Sequence, residues 1–69
     1  MMKTFLVAAI DVEDLSKSFL TKAQAESHLK AIESAISRYR KFKKIEISSL
    51  YLNDNAYCTE GIRIFVTEL

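Results

Sequence analysis

The sequence predicts an α+β fold, a small β-α-β-β domain with a three-stranded mixed sheet and one long amphipathic helix packed on one face. Three observations predict it. An apolar run at 3–12 alternates with both phases apolar, apolar residues recur at helical spacing over 21–43, and two β-rich stretches follow at 44–52 and 60–68. At 69 residues the chain is one domain, spanning 1–69, with no linker, repeat or low-complexity stretch.

In the first stretch Phe5, Val7 and Ala9 alternate with Leu6, Ala8, Ile10 and Val12, the pattern of a strand covered on both sides. Residues 13–20 read as a polar connection. In 21–43, Ala25, Leu29, Ile32, Ile36 and Tyr39 form one stripe, flanked by His28, Ala35 and Phe42, with Lys22, Glu26, Lys30, Glu33, Ser37 and Arg40 opposite. Thr21 and Gln24 read as a capping box at the start of that helix. Ile45 and Ile47 then share a phase that Leu50 and Leu52 reverse, so a bulge is expected at Ser48-Ser49. Asn53-Asp54-Asn55 is a turn signal. Ile62, Ile64 and Val66 face one way in the last strand, with Gly61 relieving a bend at its start.

A helical crossover makes the first two strands parallel and right-handed, with the last two as a hairpin. That topology predicts a bipolar molecule, with Asp11, Glu13, Asp14, Asp54 and Glu60 at one pole and Arg38, Arg40, Lys41, Lys43 and Lys44 at the other, near Lys3. It also predicts a bare sheet face built from Leu6, Ala8, Ile10 and Val12 or their alternates, with Phe65 and Leu50 or Tyr51. Such an apolar surface is more than a monomer normally exposes.

Composition limits the chemistry. A chain this short buries only about 60% of its unfolded surface and needs support beyond its own core. Cys58 is the only cysteine and His28 the only histidine, which excludes an intrachain disulfide and leaves a Cys/His zinc site short of ligands. One glycine cannot build a glycine-rich phosphate loop. Asp11, Glu13 and Asp14 lack the spaced oxygens and glycine of a calcium loop and read as an acidic, partner-facing edge. Cys58 and His28 have no oxyanion motif beside them, so neither catalysis nor a cofactor is expected. Lys3 and the apolar run after it imitate a signal peptide, but the run stops at Asp11 without a cleavage site, and no segment approaches the length of a membrane span. A cytoplasmic protein that engages no membrane is expected.

The charge is segregated rather than abundant. Ten Lys/Arg face nine Asp/Glu, yet five of the ten fall within 38–44, interleaved with Tyr39 and Phe42. Such a cluster steers partners, and it also suits a helix C-terminus. The strand-helix-strand-strand order at this length resembles that of dodecins, small flavin-storing shells. Dodecins stack flavin on a tryptophan and this chain has none, so the resemblance implies topology and carries no flavin site. The function expected is that of a small non-enzymatic interaction protein, an inhibitor or adaptor that binds a larger protein or itself as a homodimer. Phage and mobile-element proteins that block host enzymes or defence complexes by occlusion have this form. The alternative is a nucleic-acid-binding module that uses the 38–44 cluster.

Overall fold

The computed structural model describes all 69 residues. Five strands, β1 (Lys3–Asp11), β2 (Phe19–Ala25), β3 (Tyr51–Asn53), β4 (Ala56–Thr59) and β5 (Ile62–Glu68), form one sheet in the order β2-β1-β5-β4-β3. Every pairing is antiparallel. One helix, α1 (His28–Arg38), joins β2 on one edge to β3 on the other. The expectation of α+β is right in outline. The three-stranded mixed sheet is replaced by five antiparallel strands, and with it goes the strand order that resembled dodecins.

Two segments account for the difference. Residues 19–25 belong to a strand, where a connection to 20 and the first turns of the helix from 21 were expected. Phe19, Thr21, Ala23 and Ala25 face one side and Leu20, Lys22 and Gln24 the other, a period of two. Tertiary pairing with β1, in register Phe5↔Ala23 and Val7↔Thr21, prevails over the helical propensity of these alanines. The helix therefore starts at Ser27, whose hydroxyl accepts from the Lys30 N–H at 3.3 Å, and not at Thr21. Residues 56–59, unassigned from the sequence, form β4 and turn one expected hairpin into two. The β3–β4 turn is made by Asp54 (φ 49°) and Asn55 (φ 68°), left-handed at both positions as a two-residue hairpin requires. At the β4–β5 turn Gly61 has φ +73°, and a Cβ there would also collide with the Glu13 carboxylate. The helix also ends at Arg38 rather than at 43. The strand expected over 44–52 with a bulge at Ser48-Ser49 shrinks to Tyr51–Asn53, preceded by a 3-10 turn over Ile47–Ser49 in which the Ser49 hydroxyl donates to the Glu46 carbonyl at 2.6 Å.

β1 is apolar on both faces because it is central. Its Phe5, Val7 and Ala9 join Ala23 and Ala25 of β2 and Ile62 and Ile64 of β5 beneath Ala31, Ile32 and Ala35 of α1. The alanines on both layers let the helix sit close to the sheet. An 11-residue helix spans only about 16 Å, and it lies over β2, β1 and β5. From the connection that follows it, Phe42 enters the core and Ile45, Ile47 and Leu50 pack against it.

Candidate functional site

The acidic residues expected to act together are divided. Glu13 is exposed and Asp14 half-buried in the β1–β2 loop, with the Glu13 carboxylate over Gly61, while Asp11 and Asp54 leave that surface. Asp11 is buried, at 6% exposure, and its Oδ1 accepts the backbone N–H groups of Glu13 and Asp14 at 3.0 and 3.1 Å. Its own N–H donates to the Ser18 hydroxyl at 3.0 Å. Its carboxylate shapes the β1–β2 loop. Asp14 caps the 3-10 turn at Leu15–Lys17. The Ser16 hydroxyl donates to its carboxylate and holds it below the usual carboxylate range, helped by the Ser16 N–H and the Lys17 charge and opposed by slight desolvation. Asp54 lies in the β3–β4 turn, toward the other end of the sheet, because β4 runs from it toward the Asp11 end.

The expected bipolar arrangement is overturned for the same reason. The antiparallel β2 reverses the chain before α1, so α1 ends beside the loop that leaves β1. Tyr39 stacks on Phe19 with centroids 4.0 Å apart and planes 6° apart, and Phe42 meets the same ring edge-on at 5.1 Å. The basic stretch thus sits at the Asp11 end. Lys3 is at the opposite end of β1, paired with Glu68 at 3.7 Å.

Arg38, Arg40, Lys41, Lys43 and Lys44 are all exposed, and none takes part in either of the chain's two ion pairs, Lys3–Glu68 and Lys17–Asp14. Tyr39, Phe42 and Ile45 anchor the backbone between them. The five cations are not one patch. Arg38, Arg40 and Lys41 line a depression with Lys17, whereas Arg40 and Lys44 border an adjoining groove of about 900 Å³, floored by Ile36, Phe42, Ile45 and Ile47 and also lined by Glu33 and Glu46. Lys17 is 21 positions from Arg38, and nothing in the linear sequence joins them. Only the β1–β2 hairpin does.

The second surface is the sheet face opposite α1. The register aligns Leu20, Ala8 and Phe65 across β2, β1 and β5, with Leu6 and Ile10 on either side along β1. Leu20 is 63% exposed and Phe65 38%. Tyr51 of β3 lies on the same face, paired with Cys58. Val12 is past the end of β1, and Leu50 packs against the core instead. Lys22 and Arg63 flank the apolar strip on this face, and no strand position on it carries a carboxylate.

His28 meets Phe5 edge-on at 5.1 Å, on the helix side of the sheet, whereas Cys58 pairs with Tyr51 and Arg63 on the other side. The sheet separates them, so they form no nucleophile–base pair. No helix is long and apolar enough to cross a membrane. Comparison with protein-family models, with curated proteins and with solved structures returns no match. The functional reading rests on this chain's own surfaces.

Proposed function

We propose that this chain is a small non-enzymatic interaction protein, an adaptor or inhibitor of the cytoplasm, that docks a larger protein on its uncovered sheet face. The observation that supports this reading is the strip of Leu20, Leu6, Ala8, Ile10 and Phe65, left open by a helix that covers only the other side. An apolar centre with a polar rim of Lys22, Gln24, Arg63 and Thr67 has the anatomy of a docking surface. The rim charges favour one kind of occupant. Two cations with no carboxylate on the face fit a partner whose apolar patch is bordered by Asp or Glu. A second copy placed face to face would bring four cations together without a counter-charge, which argues against a symmetric dimer through this surface.

The test compares the wild type with Phe65→Lys and with Lys22→Glu/Arg63→Glu. The proposal expects a monomer near 7.9 kDa by sedimentation. It also expects one stoichiometric protein complex from the native host, lost in Phe65→Lys and weakened by the charge reversal at low salt. A dimer that dissociates in Phe65→Lys would assign the face to self-association and overturn it. So would a complex that tolerates both variants.

A further inference from the structure

The depression beside the end of α1 gathers cations that the local structure does not require. A helix C-terminus is favoured by positive charge only within its last turn, and there only Arg38 qualifies. Arg40 and Lys41 lie beyond it, and Lys17 comes from a different element altogether. Salt bridges do not account for them either, since Arg38, Arg40 and Lys41 have no carboxylate partner and the Lys17–Asp14 pair is long, at 3.9 Å, and exposed. None of the residues that line the depression is acidic.

We propose that this depression binds the phosphodiester backbone of a nucleic acid, with Lys17, Arg38, Arg40 and Lys41 each neutralising a phosphate. The aromatic residues decide how the ligand is held. Phe42 is buried, and Tyr39 is stacked on Phe19 through one ring face and stays 36% exposed, so four cations stand beside a single partly open ring. Recognition is therefore by backbone charge and is indifferent to sequence. The balance of the lining disfavours a protein ligand here, because four cations surround one partly open aromatic ring, which suits a phosphate chain better than an apolar anchor. The site is independent of the open sheet face, which lies on the other side of β1.

Binding of a fluorescein-labelled duplex would be followed by anisotropy between 50 and 200 mM salt. Four phosphate contacts give a slope of log K against log salt of about −3.6, on the order of a 100-fold loss of affinity across that range. Lys17→Gln is expected to reduce the slope by about 0.9, and Lys17→Arg to restore it. Lys43→Gln, outside the depression, should leave it unchanged. Far-UV circular dichroism checks that each variant is folded. Four results would overturn the proposal: no binding at 50 mM salt; equal losses in Lys17→Gln and Lys43→Gln; equal affinity for polyglutamate; or tighter binding to phosphatidylserine vesicles than to the duplex.

Discussion

Over β1 and β5 the two faces of the sheet, built from alternate residues of the same strands, have opposite fates, whereas on β4 the open-side Ala56 and Cys58 are buried. On the covered face Phe5, Val7, Ala9, Ile62 and Ile64 are at most 2% exposed. On the other, their neighbours Leu6, Ala8, Ile10 and Phe65 stay partly or largely in solvent. The central strand carries apolar residues in both phases, as a strand buried on both sides would. Its neighbours do not. β2 and β5 place Lys22, Gln24, Arg63 and Thr67 on the open side. Apolar character on that face is thus concentrated over β1 and fades toward its flanks. A sheet designed to face water would alternate cleanly along its middle strand as well. The comparison teaches that the sequence provides for two covers while the chain folds only one.

Ile64 and Phe65 are the sharpest way to break this comparison, because they are adjacent and point to opposite faces. Ile64 is 0% exposed and Phe65 38%. Ile64→Ala should destabilise by about 2–5 kcal/mol, the usual range for truncating a packed core residue. Phe65→Ala removes a larger side chain but should cost only about 1–2 kcal/mol, because more than a third of that surface is already hydrated and no sealed cavity is left. Urea denaturation of both variants measures this. Equal losses would mean that the open face is covered within the folded monomer.

Asp11 is the exception on the covered side, the one charged residue buried there. It is tolerated because its carboxylate serves two loop N–H groups. Asp11→Ala leaves the Glu13 N–H without its acceptor and the Asp14 N–H with only the Asp11 backbone carbonyl at 3.2 Å, and should cost about 1–3 kcal/mol. Hydrogen exchange should locate the loss in residues 12–18. A variant of wild-type stability would show that the loop is not held by this side chain and would remove the basis for placing Lys17 beside Arg38.

Much of the covered face was legible. The alternation in β1, the phase of Ile62, Ile64 and Val66, and the turn at Asn53-Asp54-Asn55 all appear as read. The open face was legible in part. Alternation allowed Leu6, Ala8, Ile10 and Val12 or their alternates and Leu50 or Tyr51. Of these, Val12 falls past the strand and Leu50 turns to the core, while Leu20 lay in the stretch read as a connection. What failed was the boundary between β2 and α1. Ala25 fits both periods, four before Leu29 in the helical stripe and two after Ala23 in the strand, so the helical spacing continued backward from the true helix into the strand. Once β2 was lost, the crossover looked parallel and the charges were sent to opposite poles. The depression at Lys17 was invisible for the same reason, because its two halves meet only through a hairpin the periodicity concealed. β4 was missed because Ala56, Tyr57, Cys58 and Thr59 alternate buried and half-buried without any strong hydrophobe.

That boundary is itself testable, at a smaller scale. The helix that covers one face begins where the chain leaves the edge strand, and the two readings of the sequence name different caps. Ser27 has the extended backbone of an N-cap, and its hydroxyl accepts from Lys30. Thr21 lies mid-strand opposite Val7, where its hydroxyl reaches only the Lys22 carbonyl at 3.4 Å. Ser27→Ala should therefore cost about 1 kcal/mol, the typical loss of a cap. Ser27→Asp should preserve stability, since a carboxylate caps as well and favours the positive end of the helix. Thr21→Val should be neutral or slightly stabilising, because a β-branched apolar residue suits that strand position. A loss at Thr21 with none at Ser27 would restore the long helix, detach β2 from the sheet edge and leave β1 with a second uncovered flank.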